Sequence, residues 1–190
     1  MDRFPFKYSI DEELALVAPT HVQSVAEELF RLLDTDRERL RPFLSFVDTT
    51  QTVEDELAFI KSQLNGQAEG TDYLLLITYR KQLVGTINYH FVSPSNQRAE
   101  IGYWLHSAYN GQGIMTRSVK AMLALGFETL DFNRIDLYAD IENHASNEVA
   151  KRAGFTHVSV QPAQVKLYDS FRDMNQYVML KSDYEAMKLN

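Results

Sequence analysis

The chain has 190 residues, of which 45% are hydrophobic and 12% aromatic, and this composition predicts one globular domain over residues 1–190. No stretch reaches the ~20 apolar residues of a membrane span, and the N-terminus lacks a signal-peptide core. There is no cysteine, so no disulfide, thiolate metal site or cysteine nucleophile is possible, and these observations together predict a cytoplasmic protein without a membrane partner. The net charge of −7 disfavours a nucleic-acid surface and suits either a basic partner or simple solubility.

The first third of the chain predicts one strand and three helical segments. Residues 13–17 form the strand, and Thr20 is the expected N-cap of the first helix. Residues 34–47 predict a short, interrupted helix. Residues 52–66 predict a third helix, which begins with an acidic capping box at Thr52 and ends at an Asn-Gly pair.

The remaining elements predict a mixed α/β sheet domain. A helix is expected at residues 114–130, because apolar residues recur there at spacings of three and four, and a short helix is expected at residues 145–153, before Gly154. Strands are expected where β-branched and aromatic residues dominate, at residues 73–79, 83–92, 99–105, 134–141, 155–167 and 173–180.

Two glycines mark the most informative stretch, in which a strand, a turn and a helix follow one another. Gly111 and Gly113 precede the first helical residues, where unpaired backbone N–H groups and the helix dipole suit a phosphate or pyrophosphate. A Gly-x-Gly pattern alone more often indicates a turn that requires positive φ. The preceding strand and a second motif at residues 143–147 favour the binding interpretation.

The two motifs together resemble the GNAT acyltransferase superfamily. They read Glu-Ile-Gly-Tyr-Trp-Leu … Gly-Gln-Gly-Ile-Met and Asn-x-x-Ser-Asn … Ala-Gly-Phe, and they are most similar to the RimJ/RimL branch, the N-terminal acetyltransferases of ribosomal proteins. The resemblance is dense over residues 85–155 and continues to about residue 180. It implies a mixed, mostly antiparallel central sheet flanked by helices, acetyl-CoA as co-substrate and no metal.

The resemblance also implies which residues contact the coenzyme. Backbone N–H groups of the glycine loop would bind the pyrophosphate, and the pantetheine arm would pair with the end of the preceding strand. Asn143 would bind the amide-rich pantetheine, although by local rules it is a helix N-cap, and it can do both. The remaining predicted contacts are Trp104, Leu105, His106, Gly111, Gln112, Gly113, Ile114, Met115, Thr116 and Ser146.

Three positions depart from the pattern of the superfamily. Ala108 replaces the usual Gln or Arg three residues before the first glycine, and we expect binding to survive because the loop acts through its backbone. Ala150 stands where many relatives carry a tyrosine acid, so Ser146 is the predicted donor to the thiolate. Val165 stands where the ribosomal-protein branch tends to carry a glutamate.

The general base is less well defined by the sequence than the coenzyme loop. Glu100 on the central strand is the candidate, with an outward strand residue as an equal alternative, and His106 is a remote second choice. The other histidines show no metal-ligand spacing, and we expect them on the surface or in turns. By resemblance, Phe43, Phe46 and Phe59 line an acceptor pocket, whereas core packing is the plainer interpretation.

The sequence therefore predicts an acetyl-CoA-dependent N-acetyltransferase that acts directly on a primary amine. The favoured acceptor is the N-terminal α-amine of a basic, possibly ribosomal, protein. The alternatives are a small amine, such as a polyamine or an aminoglycoside, and a non-catalytic module that binds acyl-CoA. A homodimer is compatible with the resemblance.

Overall fold

The computed structural model describes residues 6–189. Its strands are β1 Lys7–Ser9, β2 Leu14–Val17, β3 Tyr73–Tyr79, β4 Gln82–Ser93, β5 Arg98–Leu105, β6 Arg134–Asp140, β7 Thr156–Leu167 and β8 Ser170–Leu180. Its α-helices are α1 Val22–Thr35, α2 Arg37–Leu40, α3 Phe46–Thr49, α4 Val53–Glu69, α5 Ile114–Ala124, α6 His144–Ala153 and α7 Lys181–Lys188. Helix α5 continues into a π-helical segment, Leu125–Thr129.

The strands within the described residues form a mixed sheet in the order β1-β2-β3-β4-β5-β6-β8-β7. The pairs β1–β2, β2–β3, β6–β8 and β7–β8 are antiparallel. The pair β5–β6 is parallel, and its register runs from Arg98 with Arg134 to Glu100 with Asp136. This topology confirms the predicted fold class, a mixed and mostly antiparallel α/β sheet.

The chain divides into two compact units. The first comprises the described residues up to Asn88 together with Tyr103–Ile114, and its core contains Leu29, Ile60 and Trp104. The second comprises Tyr89–Gly102 together with the described residues from Met115 onward. In its core the hydroxyl of the fully buried Tyr89 donates to the carbonyl of Met122. The expectation of one domain over residues 1–190 stays a prediction.

The boundaries of α1 and α4 differ from the prediction. Thr20 is not the N-cap of α1, since His21 holds that position in a left-handed conformation and makes no side-chain cap. The capping box at Thr52 is confirmed, but α4 continues past Gly66 and ends at Gly70, whose φ of 77° makes a left-handed C-cap. Gly66 instead makes room for Asp72, because a Cβ at Gly66 would lie 2.3 Å from that carboxylate.

Two elements were not predicted at all. Strand β1 has three residues, too few to show an alternating pattern. Helix α7 is held by contacts distant in sequence, since the Tyr184 hydroxyl and the Lys188 ammonium both bind the carboxylate of Glu128. The Tyr184 ring also packs against Phe127, with ring centroids 5.1 Å apart.

Candidate active site

The glycine turn before α5 has the backbone geometry that the sequence predicts. Gly111 and Gly113 have φ angles of 75° and 69°, in the left-handed region that favours glycine. Both are exposed, and a Cβ built at either position would meet no non-neighbouring atom within 4 Å. Helix α5 begins directly afterwards at Ile114, and the first N–H groups of a helix have no acceptor within it. This backbone has the features of an anion site, with open space for a ligand to approach.

Side chains of the same segment divide between the core and the surface. Ile114 and Met115 are 1% and 7% exposed, so only their backbone groups are available to a ligand. Gln112 is exposed and Thr116 is half-buried, so their side chains keep accessible surface. The predicted coenzyme contacts in this segment are therefore contacts of the main chain and of these two polar side chains.

The end of β5 contributes main-chain groups rather than side chains. Trp104 and Leu105 are buried, and Trp104 belongs to the core of the first unit. The carbonyl of Leu105 accepts a hydrogen bond from the guanidinium of Arg39. The next residue, His106, donates its backbone N–H to the carbonyl of Val84 at 3.0 Å. The Leu105 carbonyl and the His106 N–H are therefore engaged within the protein, and the pairing of β5 with pantetheine stays a prediction.

His106 acts as a capping residue for the turn that follows β5. Its Nδ1 accepts the backbone N–H of Ala108 at 3.2 Å, and its Nε2 lies 3.3 Å from Oγ1 of Thr35. Because Nδ1 accepts, the proton of the neutral ring is on Nε2 and faces the Thr35 hydroxyl. Both ring nitrogens are engaged within the protein, which argues against His106 as a general base.

Asp36 anchors the same turn, a role that no local sequence pattern indicates. Its carboxylate accepts the backbone N–H of Ser107 at 2.8 Å and the Nε–H of Arg39 at 2.9 Å. Burial alone would raise the pKa of Asp36, but the hydrogen bonds from Ser107 and Arg39 outweigh burial and lower that pKa overall. The carboxylate stays ionised and holds the residues that lead to the glycine turn.

The start of α6 places the second sequence motif. Asn143 is the N-cap, and its Oδ1 accepts the backbone N–H of Ser146 at 3.2 Å. The local alternative for Asn143 is thereby confirmed, whereas its contact with a coenzyme stays a prediction. Ser146 lies half-buried in the first turn of α6. Ala150, one turn later, is fully buried and offers no proton donor.

Asn147 is the structural centre of the second motif, a role that the sequence did not reveal. It is 5% exposed, and its Nδ2 donates to the carbonyls of Asp140 and Asn143, both at 2.8 Å. Its Oδ1 accepts the hydroxyl of Tyr177 at 2.8 Å and the Nδ2–H of Asn175 at 2.7 Å. These four bonds attach the start of α6 to β6 and β8, and thereby fix the turn that carries Asn143.

Glu100 points to a partner on the neighbouring strand. Its Oε1 lies 3.0 Å from Nε2 of His90, and the two side chains are 25% and 26% exposed. The charge of Glu100 also acts on Tyr138, on β6. Burial is the main cause that raises the pKa of Tyr138, and the negative charges of Asp136 and Glu100 raise it further. Glu100 is thus half-buried and hydrogen-bonded, and its role as the base stays a prediction.

Val165, which stands where the ribosomal-protein branch tends to carry a glutamate, lies in the β7–β8 hairpin. Val165 pairs with Arg172 after a register shift in β7, and its side chain is exposed. Arg172 forms two hydrogen bonds to Asp140, at 2.7 and 3.0 Å, and a further one to Glu142. The hydrogen bonds that the guanidinium donates to both carboxylates, Asp140 first, raise its pKa further. No carboxylate stands at position 165, so the site draws its candidate base from elsewhere.

Three aromatic residues are predicted to line an acceptor pocket. Phe43 precedes α3, Phe46 begins α3, and Phe59 lies on α4. Phe46 and Phe59 are 38% and 41% exposed, so core packing is wrong for these two residues. Phe43 is half-buried. Exposed aromatic rings on this helical segment are compatible with a pocket, which stays a prediction.

Two kinds of feature are absent from the described residues. Over residues 6–189, no group of three or more histidine, aspartate or glutamate side chains is placed to hold a metal ion. Within the same residues, no helix has the length and apolarity that a membrane span requires.

Comparisons of the sequence with a family model and with known proteins both identify acetyltransferases as the relatives of this chain. Residues 14–156 match the family model described as the acetyltransferase (GNAT) domain. The ribosomal-protein-serine acetyltransferase of Escherichia coli (strain K12) is 28% identical over 174 residues, which cover 92% of this chain and 95% of that protein.

Solved structures share the fold over nearly the whole chain. One is the Salmonella typhimurium acetyltransferase that modifies the N-terminal serine of the 50S ribosomal subunit protein L7/L12. It has a TM-score of 0.85 at 25% identity and covers 92% of this chain and 99% of its own. Another is the microcin C7 self-immunity acetyltransferase MccE, in complex with acetyl-CoA and AMP. It has a TM-score of 0.84 at 24% identity and covers 90% of this chain and 94% of its own.

Proposed function

The chain belongs to the acetyltransferase (GNAT) domain family, and from this premise we propose that it transfers acetyl from acetyl-CoA to the N-terminal α-amine of a protein. The observation that carries the proposal is the turn with Gly111 and Gly113, which opens α5 with two left-handed glycines and clear space above them. Such a turn suits the pyrophosphate of a coenzyme. Acetyl-CoA supplies an activated thioester when it is bound.

The residues of this chain then divide the remaining tasks. The amine nitrogen attacks the thioester carbonyl and loses a proton to Glu100, and the C–S bond breaks as the sulfur receives a proton from the Ser146 hydroxyl. Water restores the proton of Ser146, and Glu100 releases its proton to solvent. Asn143 caps α6 with its Oδ1, and its Nδ2 is the group that we assign to the amide-rich pantetheine.

A protein N-terminus is the favoured acceptor for a chemical reason. Its amine has a pKa of ~7.7–8.0, so a substantial fraction is neutral near pH 7, whereas a lysine amine at ~10.4 is almost fully protonated. A half-buried carboxylate is a sufficient base for the former. The ribosomal-protein-serine acetyltransferase of Escherichia coli and the Salmonella typhimurium enzyme support this choice by similarity.

A small-molecule amine is the second candidate. The fold of MccE covers most of this chain, and its structure holds AMP together with acetyl-CoA, so this fold can hold a small molecule as well as the coenzyme. The exposed rings of Phe46 and Phe59 are available to line a site of either kind. We further propose a cytoplasmic setting, and a homodimer stays a prediction.

An acceptor panel tests the proposal. The purified protein is incubated with acetyl-CoA and one of three acceptors. The first is a peptide with a free N-terminal serine and an internal lysine, the second is the same peptide with a formylated N-terminus, and the third is spermidine. We expect acetylation of the free N-terminus alone, read by peptide mass and by release of CoA. Acetylation of spermidine alone would show that the acceptor is a small amine. If no amine in the panel led to release of CoA, only the interpretation as a binding module would remain.

The variant Ser146→Ala is the mechanistic arm of the same experiment. Loss of a general acid should lower kcat by about 10²-fold, with the KM for acetyl-CoA nearly unchanged. Ser95→Ala, an exposed serine in the 3₁₀ turn Pro94–Asn96, serves as the matched control and should keep wild-type rates. Unchanged kcat in Ser146→Ala would remove this residue from the chemistry.

A further inference from the structure

His90 and Glu100 form a side-chain pair on adjacent strands of the second unit. The Nε2 of His90, on β4, lies 3.0 Å from Oε1 of Glu100, on β5, and roughly a quarter of each side chain is exposed. The sequence predicts Glu100 as a base and His90 as a surface or turn residue. Their contact changes the interpretation of both residues.

The backbone of β4 explains why His90 faces Glu100. Neighbouring residues of a strand point to opposite faces, and Tyr89 points to α5, where its hydroxyl donates to the carbonyl of Met122. His90 therefore projects from the other face. Phe91 follows with a φ of 50°, a left-handed conformation that is unusual for a bulky residue inside a strand, and its ring contacts that of His90.

This strained position lies directly beside the pair. A left-handed conformation at a residue other than glycine is strained and persists only where the surroundings enforce it, and such positions cluster at functional sites. Irregularities of this kind inside strands also redirect side chains next to active sites. The geometry at Phe91 is thus a second observation, independent of the hydrogen bond, that points to His90.

A neighbouring carboxylate shows what a purely structural acid looks like on this sheet. Asp136 is in register with Glu100 but is only 1% exposed. It accepts two hydrogen bonds from Arg134, at 2.8 and 2.6 Å, and one from Gln176 at 3.0 Å. Its charge is neutralised and its oxygens are covered. Of the two carboxylates, Glu100 is the one that retains access to solvent.

We propose that His90 is the positioning residue of the general base: it donates its Nε2–H to Oε1 of Glu100 and fixes the carboxylate so that Oε2 receives the proton of the acceptor amine. The inference rests on the proposed function. The nitrogen lone pair forms the new C–N bond, the displaced N–H proton moves to Oε2, and the carboxyl group then releases it to water. His90 keeps its own proton throughout and acts only through Glu100.

Steady-state kinetics with five variants test this role: His90→Ala, His90→Gln, Glu100→Gln, the double variant His90→Ala/Glu100→Gln, and His157→Ala as control. We expect His90→Ala to lower kcat about tenfold without changing the KM for acetyl-CoA. Glutamine presents an N–H near the position of Nε2, so His90→Gln should restore part of the rate. Glu100→Gln should lose about 10²-fold, as expected for a general base, and the double variant should be no slower.

The control matches His90 in chemistry and in unit. His157 is an exposed histidine on β7, and its Nε2 lies 3.0 Å from Oδ1 of Asn175. We expect its alanine variant to keep wild-type kcat. Full kcat in His90→Ala, or losses that simply multiply in the double variant, would overturn the role of His90 while leaving the proposed function in place. A wild type that acetylates no amine would overturn the proposed function, and the role of His90 with it.

Discussion

Replacing Glu56 with glutamine should stabilise the protein at pH 8 by about 3 kcal/mol and leave its stability below pH 4.5 nearly unchanged. Glu56 lies on α4 and is only 5% exposed. Within the described residues no cation pairs with it, and burial of the carboxyl raises its pKa from 4.5 to about 7. Glutamine has almost the same shape and carries no ionisable group.

The direction of this effect follows from proton binding. Between pH 4.5 and pH 7 the folded protein retains the proton of Glu56, whereas the unfolded chain has lost it. The stability that the neutral carboxyl contributes is therefore complete below pH 4.5 and is lost as the pH rises through 7. The Glu56→Gln variant has no carboxyl at this position, so its stability does not fall in this way as the pH rises. The measurement is urea denaturation of both proteins at half-unit intervals from pH 4 to pH 8.

Glu54→Gln provides the matched control. Glu54 is exposed in the same first turn of α4, so its replacement changes the same charge at the same helix end. We expect its effect to stay within about 1 kcal/mol, the usual range for a charge near a helix N-terminus, and to be the same at pH 6 and pH 8. Equal pH profiles for Glu56→Gln and the wild type would show that Glu56 is not buried in its neutral form.

Replacing Asn147 with alanine should lower the free energy of unfolding by about 4 kcal/mol. The substitution removes four side-chain hydrogen bonds, two of them buried and two part-buried. The carbonyls of Asp140 and Asn143 each keep a bond from a backbone N–H, whereas the hydroxyl of Tyr177 and the amide of Asn175 lose this acceptor. Each unsatisfied buried group costs roughly 1–3 kcal/mol, although such costs do not add fully. The measurement is chemical denaturation at pH 7.

Tyr177→Phe removes only one of these four bonds and is the matched comparison. It deletes the hydroxyl that donates to Asn147 and keeps the buried ring, so we expect a loss of about 1 kcal/mol. The result that contradicts this view of Asn147 is an alanine variant no less stable than Tyr177→Phe. Such a result would mean that water or neighbouring groups replace the amide.

Local sequence patterns predicted the strands in which apolar and polar residues alternate clearly and the helices in which apolar residues recur at regular spacing. The strand at residues 73–79 matches β3 at both ends, and the capping box at Thr52 was confirmed, because both depend on neighbours in sequence. Helix α7 could not be predicted in this way, since its anchor is Glu128 in a distant segment. Gly66 looked like a helix end and is instead a point of close packing against Asp72.

The candidate site shows the same division. The glycine turn and the N-cap role of Asn143 followed from local rules of helix termini. Two features of the site could not follow from them: the four bonds of Asn147 and the pairing of His90 with Glu100. Each depends on which residues the sheet and the helices bring together.

Calorimetric titration of acetyl-CoA tests the central claim, that the turn at Gly111 and Gly113 binds the coenzyme. We predict saturable uptake of one equivalent in the micromolar range, worth about −8 kcal/mol. Gly113→Ala should weaken it, whereas Gly70→Ala should bind normally, although Gly70 has a comparable φ of 77° and equally open surroundings. No heat of binding at millimolar acetyl-CoA or CoA, or equal loss in both glycine variants, would contradict the account.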